Sequence, residues 1–347
     1  MAVMCRELSA ATEGAWDAFV RAHPEGSFFH LAAWRRVIAS AFGHATHYVF
    51  AERDGAVVGV LPLGHVKTML FGNALVSVPF CVYGGPLAAD AEAGQALVAH
   101  AEGLMRARGV PVLEFRARLP IAWLDLEAWP RRPDLYVTFR KPFTADDATN
   151  LKDIPRKQRA MVRKGIDLGL TSVIDGDARR LHGIYAESVR NLGTPVFARR
   201  YFQILLEIFG DAADVVTILD GETAIASVLN FYFRDEVLPY YGGGRHIARD
   251  RYGNDFMYWE VMRRAALRGH TMFDFGRSKQ GTGAFAFKKN WGFVPAPLDY
   301  RFRLAPGASI PDINPLNPKY RLFIAAWKRL PLPLANIIGP PIVRGLG

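Results

Sequence analysis

One pattern occurs twice along this chain, and it limits the fold more than any other feature. Tyr48 to Leu61 is an apolar run, an Asp54-Gly55 pair and a second apolar run, and Val215 to Val228 repeats that grammar around Asp220-Gly221. Asp-Gly between apolar runs is a strong hairpin signal, because tight hairpin turns need positive φ. Downstream, each copy reaches a glycine-marked segment, Tyr83-Gly84-Gly85-Pro86 in one and Tyr241-Gly242-Gly243-Gly244 in the other. A helix-periodic stretch follows, Gln95 to Arg108 and Phe256 to Arg268, and each closes on Arg-Gly. A short apolar strand with an acid near its end completes the copy, at Glu114-Phe115 and Asp274-Phe275. The copies lie roughly 160 residues apart, so the chain reads as two copies of one α/β unit, an antiparallel meander followed by helix and strand.

That order resembles the N-acetyltransferase-like (GNAT) fold, in which two neighbouring strands splay apart and the acyl donor lies between them. The expected class is therefore α/β (α+β), with two tandem GNAT domains whose mixed, largely antiparallel sheets are flanked by helices. The polar stretch Thr144 to Asn150 reads as a weakly structured linker, and Pro155 suits the start of a basic helix. The expected domains are 1–148, 149–305 with the active site, and a Pro-rich basic extension over 306–347.

A chain of 347 residues suits two domains. Only two cysteines, Cys5 and Cys81, exclude a disulfide scaffold and multi-cysteine metal sites, and fit a reduced, cytoplasmic compartment. The histidines offer no ligand grouping, so no metal site is expected. No stretch reaches the about 18 apolar residues of a membrane-spanning helix. The net charge of +10 is concentrated in two places. One is Lys152 to Lys164, with six cations against Asp153; the other is Arg301 to Gly347, with seven against Asp312. Basic surfaces favour phosphate-bearing partners or anionic membranes.

The densest chemistry runs from Phe273 to Phe293. A strand ends at Asp274 and opens into a loop with Gly276, Arg277, Lys279, Gly281 and Gly283, and then Phe287-Lys288-Lys289-Asn290-Trp291 follows. Glycines let a ligand approach the backbone closely, and Arg277 and Lys279 can meet anionic oxygen. Lys288, framed by aromatic residues, can sit as a sheltered cation, and a well-aimed donor to a tetrahedral oxyanion is worth about 3 kcal/mol. Asp274 is a base, an orienter of the attacking amine or a structural anchor for its loop.

The run from Gly253-Asn254 through Asp274-Phe275-Gly276 to Phe287-Lys288 resembles the second domain of the Fem family of tandem GNAT-fold aminoacyltransferases. The resemblance implies transfer of amino acids from charged tRNA to the peptide of a peptidoglycan precursor. It also implies that Lys288, behind Phe287, lies where the amine attacks the ester carbonyl, that Arg190 touches the acceptor, and that Tyr241 lines the acceptor cleft. Lys289 and Trp291 belong to the same substrate-binding segment. Thr194 stands where the family usually has an aromatic residue. The tail around Asn317-Pro318 and Trp327-Lys328-Arg329 looks like the branch associated with exosortase (PEP-CTERM) and exopolysaccharide systems.

Arg245, Arg249 and Arg251 are candidates to hold a donor phosphate, although their spacing departs from the Arg/Gln-x-x-Gly-x-Gly/Ala turn that grips coenzyme A. That departure favours aminoacyl-tRNA as donor, with acyl-CoA as the alternative. Arg156, Arg159 and Arg163 fall on one face of the basic helix and suit tRNA or another phosphate-bearing partner. Residues 318–330 form an amphipathic segment that either packs on the body or touches the inner face of the cytoplasmic membrane through Trp327, Lys319, Arg321, Lys328 and Arg329. The expected function is aminoacyl or acyl transfer to an amine of a cell-envelope or exopolysaccharide precursor. A coenzyme-A-dependent N-acyltransferase acting on an amino sugar and a non-catalytic precursor-binding module are the alternatives.

Overall fold

Both Asp-Gly pairs close hairpins. In the first, Asp54 and Gly55 take φ of 54° and 79° between strands paired from Ala45↔His65 to Arg53↔Ala56; in the second, Gly221 takes 59°. The structure, a computed structural model, describes residues 2–68, 72–131, 136–311 and 321–346. It divides into two compact units. One comprises Met1–Leu135, Pro297–Ile313 and Arg344–Gly347; the other comprises Tyr136–Ala296 and Asn314–Val343.

In chain order the first unit contains β1 (Met4–Glu7), α1 (Glu13–Ala22), α2 (Trp34–Phe42), β2 (Ala45–Arg53), β3 (Ala56–Thr68), β4 (Gly72–Ser77), β5 (Leu87–Ala88), α3 (Ala91–Ala107) and β6 (Val112–Ala117). Next come β7 (Tyr136–Pro142), α4 (Asp147–Asp153), α5 (Arg156–Asp167), β8 (Thr171–Ile174), α6 (Arg179–Leu192), α7 (Arg199–Phe209), β9 (Ala213–Asp220) and β10 (Thr223–Phe233). The chain continues through β11 (Glu236–Gly244), α8 (His246–Asp250), α9 (Gly253–Leu267), β12 (Met272–Asp274), β13 (Ser278–Lys279), α10 (Gly283–Asn290) and β14 (Pro295–Pro297). It ends with β15 (Asp299–Leu304), α11 (Arg321–Arg329) and α12 (Leu332–Val343).

The two sheets share one plan. The first runs β1-β2-β3-β4-β6-β15, with β4 parallel to β6 and β15 antiparallel to β6. The second runs β8-β9-β10-β11-β12-β7, with β11 parallel to β12 and β7 antiparallel to β12. The closing strands are exchanged along the sequence. β7, which follows the first copy, completes the second sheet, and β15, which follows the second copy, completes the first. This corrects the expected limits of 1–148 and 149–305: residue 148 lies inside α4, and β15 pairs in the first sheet. The repeat located the internal elements but could not assign the closing strand, because either sheet could accept it.

The polar stretch at 144–150 is ordered rather than loose. The Asp146 carboxylate accepts from the Thr149 amide at 2.7 Å and caps α4. The buried Asn150 accepts from the Thr144 amide at 2.8 Å and donates to the Thr144 carbonyl at 2.7 Å. The glycine-marked strand end holds only in the second copy, where Tyr241–Gly244 ends β11. In the first copy β4 stops at Ser77, and the amides of Gly84 and Gly85 both turn onto the Arg116 carbonyl, at 2.9 and 3.2 Å.

The core of the second unit gathers Phe139, Val162, Val228, Val261, Phe273 and Trp291, all fully enclosed. Phe139 belongs to the exchanged strand, so its ring joins β7 to that core. Phe139→Ala is expected to cost about 3–5 kcal/mol, read as a fall in the urea midpoint. A loss under about 1 kcal/mol would mean that the exchanged strand contributes little packing.

Candidate acyl-transfer site

The site of interest lies where two neighbouring strands part. β11 and β12 pair only at Glu236↔Met272 and Val237↔Phe273, yet β11 continues to Gly244 on the arm of β10. The register of β10 on β11 shifts at Leu229/Asn230, which leaves Tyr240 as the extra residue beside Pro239. From Leu238 onward, therefore, β11 has no strand ladder on its β12 side. Beyond Asp274 the chain runs through Phe275–Arg277 to β13 along β7, with the Phe275 amide on the Phe139 carbonyl at 2.9 Å.

Ion pairs fasten these strands close to the point of separation. Arg140 of β7 bonds to Glu236 of β11, and its Nε lies 3.2 Å from the carboxylate of Asp274 at the end of β12. The Asp274 side chain is fully enclosed, and its Oδ1 accepts from the Gly276 amide at 2.7 Å and the Thr138 hydroxyl at 3.5 Å. These contacts anchor the turn at Gly276 (φ 64°) and fit the structural one of the roles considered for Asp274.

Lys288 answers the same separation from the other side. Its ammonium donates to the carbonyls of Phe275 at 2.7 Å, Gly276 at 3.1 Å and Arg277 at 3.1 Å. The tip also lies 5.6 Å from the Phe139 ring and 5.9 Å from that of Phe275. Burial lowers its pKa to about 7, against the opposing pull of Asp274. All three protons of the charged form are directed at carbonyls. In this arrangement the ammonium ties together the backbone of Phe275, Gly276 and Arg277.

The remaining candidates divide sharply. Trp291 is fully buried and donates to Asp255 at 2.9 Å, so it fixes α10 to α9 instead of meeting substrate. Phe287 packs near Tyr258 and Trp291 as a half-buried support. Tyr241 is buried, with its hydroxyl 2.8 Å from that of Tyr201, and belongs to the packing beneath α6 and α7. Arg277 and Lys279 both lie over the Tyr136 ring, at 4.3 and 5.3 Å, on the rim of the loop. Lys289 is exposed above Phe285. Arg190 donates to the Lys328 carbonyl at 3.2 Å and is thereby tied to α11.

Among the phosphate candidates, Arg251 is engaged by Asp220 through two bonds of 2.7 and 2.9 Å and is not available to a donor. Arg245 is half-buried, 3.8 Å from Glu187, and Arg249 is exposed on α8. On α5, Arg159 turns back onto the Lys152 carbonyl at 2.9 Å. The exposed cationic face is instead Arg156, Lys157, Arg163 and Lys164, spaced by helical turns. In the tail, Trp327 is buried, which removes it as a membrane anchor, and residues 317–320 lie outside the described residues.

Sequence reasoning missed Arg140 and Asp255. Arg140 lies in a strand that the repeat assigned to neither copy, and Asp255 reads as an ordinary first-turn acid of a helix. It also missed a cavity of about 130 Å³ in the first unit, lined by His23, His30, Gly85, Arg118 and Trp123 among others. His30 faces the Gly85 carbonyl at 2.9 Å through Nε2 and Ser27 at 2.8 Å through Nδ1, so it is a fully bonded structural histidine.

Residues 150–289 match the family model of the Acetyltransferase (GNAT) domain. The structure of FemX superposes with a TM-score of 0.67 at 17% identity, covering 92% of this chain and 100% of that one. A tandem GNAT protein from the clavulanic acid biosynthesis pathway gives 0.54 at 15% identity, over 89% of this chain and 100% of the other. The C-terminal domain of a putative lysylphosphatidylglycerol synthetase from Agrobacterium fabrum gives 0.55 at 12%, over 86% and 93%. No match was found among curated proteins. Residues 150–289 form a GNAT acetyltransferase-type domain, and the chain as a whole has a tandem GNAT-like fold. Its fold is FemX-like, and the second unit carries the acetyltransferase-type domain.

Two outcomes test these assignments. Asp274→Asn keeps an oxygen for the Gly276 amide but removes the carboxylate beside Arg140 Nε, while Glu236 still pairs that guanidinium, and is expected to cost about 1–3 kcal/mol in urea unfolding. Unchanged stability with lost turnover would favour the base role. Between pH about 7 and 10.5 the unfolded chain keeps a lysine proton that folded Lys288 has released. Stability contributed by this group therefore rises with pH across that window, by up to about 1.4 kcal/mol per unit. Lys288→Met should remove that slope, and an identical slope in the variant would contradict the shift.

Proposed function

We propose that the second unit transfers an aminoacyl or acyl group from an activated ester of the aminoacyl-tRNA type to an amine of a cell-envelope or exopolysaccharide precursor. The parting of β11 from β12 after Val237↔Phe273 carries this reading. Where two neighbouring strands splay apart, an extended, amide-bearing ligand can enter between them. The acceptor nitrogen attacks the ester carbonyl carbon, a C–N bond forms as the C–O bond to the ribose breaks, and the amine proton passes to the leaving oxygen. Lys288 acts by holding carbonyls 275–277 in place, so that the loop after β12 is preorganised. Arg277 and Lys279, on the rim, and Arg190 are proposed to meet the acceptor's anionic groups.

The donor preference rests on charge. With Arg251 held by Asp220, the turn ahead of α9 has one cation fewer for a pyrophosphate, whereas Arg249 and the α5 residues Arg156, Lys157 and Arg163 are exposed to a longer phosphate backbone.

Label transfer from charged tRNA to an amine-bearing precursor is the expected result, with acyl-CoA as a parallel arm. Transfer from acyl-CoA alone would overturn the donor, and transfer from neither would overturn the function. Lys288→Met should lower turnover about 10²-fold with the fold retained, since a displaced loop misaligns the reactants. Arg156→Glu with Arg163→Glu should weaken tRNA binding and flatten its salt dependence.

A further inference from the structure

We propose that α11 and α12 form a preformed surface that docks onto an anionic lipid bilayer. α12 contains no ionisable side chain, and Asn336 is its one polar residue. Ala335, Gly339 and Val343, at every fourth position, are buried. The opposite face presents Leu334, Ile337 and Ile338, which are 50%, 68% and 41% exposed. α11 repeats the arrangement, with Trp327 buried while Leu322 and Phe323 are 85% and 44% exposed. Five large apolar side chains thus stand open on two short consecutive helices, which is more than scattered surface residues require.

Both helices pack on α6. A side chain at Gly339 would meet the backbone of Val196 at 3.0 Å, and one at Gly193 would meet Ile324 at 2.5 Å. Glycine at these two positions is what allows such close seating. The apolar face is therefore held in place before any contact, and docking carries little ordering cost.

Charge selects the occupant. Arg321, Lys328 and Arg329 are exposed on α11, and the sequence has no acid from Ile313 to Gly347. A second copy of the chain would bring these cations against their own kind. An anionic bilayer meets both demands, with apolar side chains entering the acyl boundary and cations at the headgroup phosphates. At about 1.5 Å per residue the 12-residue α12 spans about 18 Å, well short of the about 30 Å hydrocarbon core. No helix among the described residues is long and apolar enough to cross a membrane. α12 would lie in the interface plane. This inference is independent of the acyl-transfer reading.

The test is co-sedimentation of the full chain with phosphatidylcholine vesicles, with and without a one-third share of phosphatidylglycerol, at low and high salt. The wild type should bind the anionic vesicles and release with salt. The exposed-face variant Leu334→Ser, Ile337→Ser, Ile338→Ser should bind at least about tenfold more weakly with unchanged thermal unfolding. Arg321→Gln, Lys328→Gln, Arg329→Gln should lose the salt-sensitive part. Absence of wild-type binding to anionic vesicles, or equal binding by the apolar variant, would overturn the proposal. So would a wild-type dimer in gel filtration that the apolar variant abolishes, which would make the face a self-interface.

Discussion

Backbone carbonyls that leave a β-ladder still need donors, and that requirement governs the second unit. β11 and β12 separate after two residue pairs, and the loop that follows β12 would expose three carbonyls in an apolar setting. An unmet buried carbonyl costs about 1–3 kcal/mol, so the opening can exist only if something else pays. Lys288 supplies all three bonds from one ammonium group. Asp274 takes the Gly276 amide, and Arg140 balances Asp274 while reaching Glu236 on the neighbouring strand. The separation, the lysine and the ion pairs form one arrangement, and removing any part leaves polar groups stranded.

The first unit meets the same separation differently. There β4 ends early, the amides of Gly84 and Gly85 fold onto the Arg116 carbonyl, and His30 donates to Gly85. One duplicated plan thus yields two unequal halves: the glycine pair bonds to Arg116 in the first, and the glycine-marked strand continues on the arm of β10 in the second.

Much of the fold was legible because its signals are local. The Asp-Gly turns, the Arg-Gly helix ends and the periodicity of α3 and α9 each declare themselves within a few residues. The closing strands β7 and β15 do not, since their membership depends on pairing partners far away in sequence. The site was legible as a segment rather than as roles. Phe287, Lys288 and Trp291 stand close in sequence, but burial sends Trp291 to Asp255 and turns Lys288 onto carbonyls. Aromatic framing predicted shelter for the lysine correctly, while its bonding partners are backbone atoms, which carry no residue signature. Tyr241 and Arg251 failed for a related reason: their partners, Tyr201 and Asp220, come from other elements.

The exchanged closing strands bear on how the protein is made. The first sheet lacks its outer strand until β15 emerges, after every strand of the second sheet has been synthesised. Until then the edge of β6 is an open template, able to recruit a stray strand from a neighbouring nascent chain. The second sheet has its closing strand from the outset, since β7 leaves the ribosome before the rest of its unit. Maturation should therefore run against the order of the sequence, with the later unit consolidating first and the earlier one sealed last.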